Sequence, residues 1–286
     1  MKHLSIIILF LIIMTTTNAQ VEKYCRYNDG ESHYGKVVGD VIYELNNAPW
    51  QGGTETGESV NLTDVKLLAP SEPSTIIGLG KSYSESWIGK VIPKGVRWFI
   101  KPPTAAAANG DDVVLPPLLD EVKVEPELVI VIGKKIKNAD EQEAEQAIFG
   151  YTVGNDIVGL VDSYHKLQGD PLDMPESILA TGLKACDGFQ PFGPFIYTGI
   201  DWKNHNVMLD VEYDNSDETI HHEQNTKTFL YTPAKIVSDI SKVLTLSSGD
   251  IISTGTIKSF PVRPGAVVKI TIDGMGQLIN KISSSN

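Results

Sequence analysis

The chain has 286 residues and a formal net charge of −12 at pH 7, because 36 acidic side chains outnumber 24 basic ones. Such an acidic surface repels phosphate backbones, so nucleic acid is not expected among the partners of this protein. The two cysteines, Cys25 and Cys186, are too few for a disulfide scaffold, and nothing in the sequence indicates whether they pair.

The N-terminal 19 residues have the pattern of a secretory signal peptide. Lys2 supplies a basic start, an apolar run extends from Ile6 to Met14, and a polar stretch ends at Ala19, the expected cleavage point. The apolar run is short for a bilayer span, and no later stretch is long and apolar enough to cross a membrane. The sequence therefore predicts an exported protein, periplasmic or secreted, without a membrane span after cleavage; an uncleaved anchor is the alternative.

Residues 20–69 are predicted to form a small N-terminal β module. The stretch GKVVGDVIYEL predicts a hairpin with Gly39 and Asp40 at its turn. Residues 49–61 are rich in Gly, Thr and Glu and are interpreted as a loop or linker. A larger domain is expected to occupy residues 70–286.

Two short helices are predicted within this larger domain. Asp140, with Glu143 three positions later, is a capping pair for a helix over residues 140–147. Thr232 followed by Pro233 predicts the start of a second helix, ending near residue 244.

Apolar stretches of strand length dominate the rest of the domain, which indicates a β-rich α+β fold with few helices. They are STIIGLG, VRWFIKP, DDVVLP, PELVIVIGK, IFGYTVGND, FGPFIYTGI, VMLDVEY, DIISTGT and AVVKITIDGMGQLINKI.

Two carboxylates, Glu125 and Glu127, lie at the start of a strand that is otherwise apolar, Leu128 to Ile132. Residues two apart on a strand face the same side, so the two side chains are expected to converge. Like charges at that distance repel and lose hydration near a core, which calls for a compensating cation. The alternative is a strand end whose glutamates point into water.

A third carboxylate, Asp156, follows another predicted strand about thirty residues further on. Three carboxylates make a hard oxygen site that suits Mg²⁺, Mn²⁺ or Ca²⁺ better than zinc or copper. Lys184, in a Gly- and Pro-rich loop, could hold an oxyanion or donate a proton near such a site.

These residues and their order resemble the fumarylacetoacetate hydrolase family from about residue 70 to the C-terminus. The matching segments are IIGLGKSY with Tyr83, FIKPPTA with Lys101, EPELVIVIGK with Glu125 and Glu127, GYTVGND with Asp156, LKACDGFQPFGPFI with Lys184, SSGDIISTGT with Thr256, and GAVVKITIDGMGQLINKI.

The resemblance implies a mixed β-sandwich or roll in which Glu125, Glu127 and Asp156 bind one divalent cation. It also implies a metal-dependent hydrolase or lyase that cleaves a C–C bond of a 1,3-dicarbonyl or 2-oxo acid through a metal-stabilised enolate. Lys184 and Glu127 are the expected catalytic residues, with Lys184 steadying developing negative charge.

The same resemblance assigns Tyr83, Lys101 and Thr256 to substrate binding. Thr256 would offer its hydroxyl and N–H to a substrate carboxylate, although a plain turn residue is an equal alternative. The expected partner is a small-molecule acid, and family members are often homodimers.

The sequence departs from the family at the residues that activate water. The positions that carry a His and a Glu after Tyr83 hold Ser86 and Gly89, and Leu160 replaces an Arg. General-base catalysis is worth roughly 100- to 10,000-fold, so hydrolysis by the usual route should suffer. His165 could supply the base from a loop, or could be an ordinary surface residue.

Two alternatives follow from this departure. Sugar-acid dehydratases of the same fold resemble the chain in Y-x-x-S from Tyr83, in EPEL, and in K-x-x-D-G from Lys184, and they need no attacking water. The other alternative is a non-catalytic exported binding protein that kept the metal site.

Overall fold

A computed structural model describes residues 20–117, 119, 121–159, 183–214 and 216–285. The predicted signal peptide, Leu160 and His165 lie outside the described residues, so export and a base at His165 stay predictions from the sequence.

The described residues form mainly β-structure. The strands are β1 (Glu22–Asn28), β2 (Ser32–Val38), β3 (Val41–Leu45), β4 (Glu55–Asn61), β5 (Lys66–Leu67), β6 (Ile76–Leu79), β7 (Trp98–Lys101), β8 (Ala106–Ala107), β9 (Asp112–Leu115), β10 (Val122–Val124), β11 (Pro126–Ile132), β12 (Ile148–Asn155), β13 (Val158–Gly159), β14 (Gln190–Thr198), β15 (Asn206–Tyr213), β16 (Thr219–Asn225), β17 (Ile251–Ser253), β18 (Phe260–Val262), β19 (Ala266–Ile272) and β20 (Gly276–Ser284). The α-helices are α1 (Glu141–Ala147) and α2 (Pro233–Ser241), and short 3₁₀ helices span Pro49–Gln51, Leu62–Asp64, Ser84–Trp87, Pro103–Ala105 and Thr226–Thr228.

A twelve-stranded sheet runs through the molecule in the order β4-β3-β2-β1-β14-β12-β11-β17-β6-β7, with β5 paired to β1 and β8 to β14. The N-terminal strands join this sheet because β1 pairs with β14, Glu22 opposite Thr198. The N-terminal β module is therefore continuous in its hydrogen bonding with the larger domain.

The main core lies between the central strands of this long sheet and a five-stranded sheet, β16-β15-β19-β20-β9. Strand β11 is buried along its whole length, as its unbroken apolar run predicts. Strand β19 alternates instead, with every second residue buried, because one face meets the core and the other meets solvent. A third sheet, β13-β10-β18, lies beside the start of β11. The predicted β-rich α+β fold is confirmed.

Several local predictions are confirmed by the structure. The hairpin β2–β3 turns at Gly39, whose φ of 60° lies in the left-handed region that glycine tolerates. The Asp140 carboxylate accepts a bond from the N–H of Glu143, and the Glu143 side chain accepts one from the N–H of Asp140, completing the capping box of α1. Thr232 caps α2, which ends at Ser241, three residues before the predicted end.

Other local predictions are wrong. The segment 49–61 contains β4, which pairs with β3, although its polar composition indicated a loop. The polar segment that holds His221 and His222 is missing from the predicted strands, yet it forms β16, because its pairing with β15 outweighs its low strand propensity. The pairing that the sequence left open is also answered, since no disulfide joins Cys25 and Cys186. Within the described part of the chain, no helix has the length and apolar character needed to cross a membrane.

Candidate metal centre and its cavity

The order of strands in the long sheet brings distant segments to one place. Strand β11 is antiparallel to β12 and β17, and β17 is parallel to β6. The start of β11 therefore lies beside the ends of β12, β17 and β6. The pairing of Pro126 with Asn155 places Asp156, which directly follows β12, opposite Glu125 and diagonal to Glu127.

Three carboxylates meet at this point. Oxygen atoms of Glu125, Glu127 and Asp156 lie within 4.8 Å of one another. Glu127 is in β11, whereas Glu125 occupies the one-residue break between β10 and β11, which belong to different sheets. The convergence predicted from the spacing is found, but the break in the strand, together with a bond from the Asp156 N–H to the Glu125 carbonyl (3.1 Å), positions Glu125.

Two lysines hold this carboxylate cluster. Lys184 donates to Glu125 Oε2 (2.9 Å) and to Asp156 Oδ2 (2.7 Å). Lys101, which is fully buried, donates to Asp156 Oδ1 (2.5 Å) and to the carbonyl of Phe189 (2.6 Å). Each oxygen of Asp156 therefore faces a different ammonium group.

The electrostatics of the cluster follow from burial and these pairings. Desolvation raises the pKa of Glu127 well above its ordinary value, and the charges of Asp156 and Glu125 add to the rise. Desolvation alone would raise the pKa of Asp156, but Lys101 and Lys184 outweigh it and lower the pKa. Burial would lower the pKa of Lys184, but Asp156 and Glu125 outweigh it and raise the pKa.

The cluster fits a divalent cation. Three carboxylates face two ammonium groups, so one negative charge is left without a partner among the described residues. Glu127 Oε2 accepts a bond from the N–H of Gly255 (2.8 Å), while Glu127 Oε1 is buried and has no hydrogen-bond partner among the residues that the structure describes. Such an atom is costly unless a ligand reaches it. An all-oxygen donor set is the kind that Mg²⁺, Mn²⁺ and Ca²⁺ prefer.

Gly78 in β6 allows the close approach of an aromatic ring to this cluster. A Cβ at Gly78 would lie 2.3 Å from Phe99 Cζ and 3.0 Å from Asp156 Oδ2. The Phe99 ring in turn lies 4.8 Å from Lys184 Nζ, which is cation–π distance. The glycine is therefore required by packing at the site.

A cavity of about 340 Å³ opens above the cluster. Glu125 and Lys184 form part of its floor, and Ser86 and Thr256 stand on its walls. Among the described residues that line it there is no histidine, and the carboxylate present is Glu125 of the cluster itself. Its lining comprises Leu79, Gly80, Lys81, Ser86, Lys90, Phe99, Glu125, Lys184, Thr256, Ile257, Lys258 and Ser259.

Two residues predicted to contact the substrate lie behind the cavity wall. Tyr83 is fully buried, and its ring packs edge-on against Phe229 at 4.6 Å. Lys101 is likewise fully buried and reaches Asp156. Neither side chain lines the cavity formed by the described residues, and the assignment of Tyr83 and Lys101 to substrate binding stays a prediction from the sequence.

Gln224 is a residue that the sequence analysis missed. It is almost fully buried, and its amide nitrogen donates to the Pro126 carbonyl (2.8 Å) and to the Tyr83 hydroxyl (3.2 Å). Its amide oxygen accepts from Thr256 Oγ1 (2.9 Å) and from the N–H of Ile257 (2.9 Å). One side chain thus ties together three segments of the site.

No sequence signal marked Gln224, because it lies in a polar stretch of β16 and all of its site partners are distant along the chain. Pro126 separates Glu125 from Glu127 and accepts a hydrogen bond from the Gln224 amide, so this amide also supports the carboxylate pair.

Comparison with known proteins gives two family matches. The family described as fumarylacetoacetate (FAA) hydrolase C-terminal matches residues 80–283, and the family described as Rv2993c-like, N-terminal matches residues 22–70. The fumarylacetoacetate hydrolase domain-containing protein 2 homolog of Dictyostelium discoideum is 32% identical over 268 residues, covering 87% of this chain and 81% of that protein.

Solved structures share the fold over nearly the whole chain. The 5-carboxymethyl-2-hydroxymuconate delta-isomerase from Mycobacterium smegmatis matches with a TM-score of 0.78 and 30% identity, covering 92% of this chain and 100% of that one. The maleylpyruvate hydrolase from Sphingobium sp. SYK-6, solved with manganese (II) ion and pyruvate, matches with a TM-score of 0.69 and 25% identity over the same shares of the two chains.

Proposed function

Because the chain belongs to the fumarylacetoacetate hydrolase family, we propose that it is a divalent-metal-dependent enzyme acting on a 1,3-dicarbonyl or 2-oxo acid. The observation that carries the proposal is the convergence of Glu125, Glu127 and Asp156 within 4.8 Å, directly beneath a cavity that Glu125 lines. The solved relative that holds manganese and pyruvate supports a metal and a small acid as the partners.

The three carboxylates would hold the cation, and a cation bound there supplies Lewis-acid stabilisation of negative charge on the substrate oxygens. Glu127 and Asp156 are buried and cannot turn away into solvent, so their oxygens are preorganised for that role. We propose Mg²⁺ or Mn²⁺ as the physiological metal, with Ca²⁺ as the alternative.

Lys184 is the residue that we assign to charge stabilisation during the reaction. Its ammonium group is held by Glu125 and Asp156, and its side chain remains 17% exposed toward the cavity. A donor fixed in this way stabilises charge that develops on a substrate without having to reorganise. Breaking a C–C bond beside a carbonyl places such charge on the enolate oxygen.

Thr256 is the residue that we assign to the substrate carboxylate. Its hydroxyl lies on the cavity wall, where Gln224 and the Lys258 carbonyl, 3.1 Å away, hold it in place. The turn that carries Thr256 also carries Gly255, whose N–H binds Glu127, so the substrate-binding wall and the metal floor are joined.

Acylpyruvate-type C–C bond hydrolysis is the first candidate reaction, since it is the reaction of the family's hydrolases. A 2-keto-3-deoxy sugar acid dehydratase is the second candidate, and one observation favours it. Ser86 lines the cavity where the hydrolases are expected to carry a histidine, and no histidine is found among the described lining residues. Dehydration needs a stabilised enolate but no activated water.

The deciding experiment compares acylpyruvates with 2-keto-3-deoxy sugar acids, in the presence of Mg²⁺ or Mn²⁺. Pyruvate release from an acylpyruvate supports the hydrolase, and loss of water from the sugar acid without C–C cleavage supports the dehydratase. Glu127→Gln is the matched inactive variant. If neither substrate class is turned over with any of the three metals, the enzymatic proposal fails and a metal-holding binding protein remains.

Two further statements rest on the sequence and the family resemblance. We propose that the protein is exported after cleavage near Ala19 and that it forms a homodimer. Size-exclusion chromatography with light scattering tests the dimer, and N-terminal sequencing of the purified protein tests the cleavage.

A further inference from the structure

A buried glutamine crosses the long sheet next to the carboxylate cluster. Gln190, at the start of β14, donates from Nε2 to Ser253 Oγ at the end of β17 (2.9 Å), and both side chains are fully buried. Strands β12 and β11 lie between β14 and β17 in the sheet. This hydrogen bond, the amide bridge, therefore connects two strands that are not neighbours.

The amide bridge passes the residue that is paired with Glu127. Gly154 in β12 lies opposite Glu127 in β11, and a Cβ at Gly154 would lie 3.4 Å from Gln190 Nε2. Directly paired residues of an antiparallel sheet project to the same face. The Gln190 amide therefore lies on the face of the sheet that carries the Glu127 side chain.

Both ends of the amide bridge lead to the carboxylate cluster. The residue before the β14 end is Phe189, whose carbonyl accepts from Lys101 Nζ (2.6 Å), and Lys101 in turn holds Asp156. The turn that follows the β17 end carries Gly255, whose N–H binds Glu127 (2.8 Å). The bridge thus constrains the distance between the strand ends that position Asp156 and those that position Glu127.

We propose that Gln190 is a positioning residue that sets the spacing of the metal-binding carboxylates and thereby favours Mg²⁺ over Ca²⁺. Mg²⁺ demands near-ideal octahedral geometry, whereas Ca²⁺ accepts a variable number of oxygen ligands in flexible arrangements. A fixed spacing therefore matters more to the smaller ion. This inference rests on the proposed function, in which the cluster holds a divalent cation.

The amide bridge is expected to add little to the stability of the fold. Gln190 Oε1 is buried without a hydrogen-bond partner among the described residues. The cost of such an unpaired acceptor offsets the gain from one neutral hydrogen bond, and apolar replacement of both partners of a bond can be nearly neutral. Metal selectivity and stability can therefore be separated by substitution.

The test measures the dissociation constants of Mg²⁺ and Ca²⁺ by calorimetry, and stability by urea unfolding without metal. Gln190→Leu combined with Ser253→Ala removes both partners of the bridge. Ser253→Ala alone is the mildest change that breaks the same bond, and it serves if the double variant does not fold.

Thr152→Val is the matched control. Thr152 pairs with Val129 on the side opposite Ser253, is fully buried, and its hydroxyl has no hydrogen-bond partner among the described residues. The control therefore removes a buried hydroxyl from the same row of the sheet without breaking a bond.

We expect the double variant to bind Mg²⁺ about tenfold more weakly, as for other residues that orient metal ligands. It should lose less affinity for Ca²⁺, so the ratio of the two dissociation constants should change, while the unfolding free energy without metal stays close to that of the unmodified protein. Ser253→Ala alone should give the same loss as the double variant, because one bond is broken in both. The control should keep both affinities.

The outcomes separate the two proposals. If the double variant keeps its affinity for Mg²⁺, loses affinity for both metals equally, or is matched by Thr152→Val, the role of Gln190 is overturned while the proposed function stands. If the ratio shifts as expected but neither acylpyruvates nor sugar acids are turned over, the role of Gln190 stands and the enzymatic proposal is overturned. If the unmodified protein binds neither metal, both are overturned.

Discussion

The floor and the rim of the cavity carry charge in opposite ways. The floor is the cluster Glu125, Glu127 and Asp156 with Lys101 and Lys184; Glu125 and Lys184 reach the cavity, and the other three residues are buried beneath it. The rim is Lys81, Lys90 and Lys258, which are exposed and have no carboxylate partner among the described residues.

The difference shows what burial requires of a charged group. Charges removed from water must be paired or bound to a metal, so the buried ammonium and carboxylate groups of the floor are paired, and Glu127 Oε1 is a buried oxygen of the floor without a hydrogen-bond partner among the described residues. Solvated charges need no such partner, so the unpaired ammonium groups of the rim cost little stability. Changes at the floor should therefore alter stability and metal binding strongly, whereas changes at the rim should act weakly and depend on salt.

The largest effect is expected at Lys101. Lys101→Met leaves Asp156 without one of its two cations inside the core, and breaking a buried pair costs about 3–5 kcal/mol. Urea unfolding without added metal measures this loss. Adding Asp156→Asn should restore part of the stability, because it removes the stranded charge. Equal stability of Lys101→Met and the unmodified protein would contradict the pairing.

The second effect concerns the metal. Glu127→Gln keeps the shape of the side chain and removes the charge, so the affinity for Mg²⁺ should fall by about 100-fold or more. A metal that binds only the folded state raises the melting temperature, and the variant should lose this rise over millimolar Mg²⁺. Without metal the variant should melt no lower than the unmodified protein, because the uncompensated charge is gone.

Glu145→Gln, on the exposed side of α1, is the matched control for this prediction and should keep the metal-dependent rise. A melting temperature that is insensitive to Mg²⁺, Mn²⁺ and Ca²⁺ in the unmodified protein would count against the site.

A substitution at Gln224 tests whether the hydrogen bonds of this side chain connect the cavity wall at Thr256 with the carboxylate cluster. Gln224→Leu leaves the Pro126 carbonyl and the N–H of Ile257 without their partner, which should cost about 2–3 kcal/mol in urea unfolding. It should also lower kcat/KM by loosening Thr256. Gln277→Leu, which removes an exposed amide, is the control and should be nearly neutral.

A smaller effect is expected at Gly78. Gly78→Ala pushes a Cβ into Phe99 and toward Asp156, and such overpacking should cost about 1–2 kcal/mol and reduce turnover. Gly95→Ala, whose Cβ would meet only Asp239 Oδ2 at 3.8 Å, is the control. Equal melting temperatures of the two variants would show that Phe99 moves freely, against the close packing described.

The local patterns of the sequence were sufficient to predict much of the fold. These predictions concern the apolar run of β11, the turn at Gly39 and the caps Asp140 and Thr232. Each of these features depends on neighbours within a few residues, so the local sequence is enough to predict it. The approach of Glu125 to Glu127 was also predictable from their spacing, whereas the pairing of β11 with β12 brings Asp156 to them.

The tertiary structure alone decided the rest. Gln224 reaches Tyr83 across 141 positions and Pro126 across 98, and no periodicity or cap records such partners. Tyr83 and Lys101 are buried away from the cavity because of how whole sheets pack, which no local pattern of the sequence indicates. The rim exists only because Lys81, Lys90 and Lys258 meet around one cavity. The sequence thus determined which elements form and which charges need a cation, because short-range sterics and desolvation act locally. Which side chains share a site was decided by the pairing of strands distant along the chain.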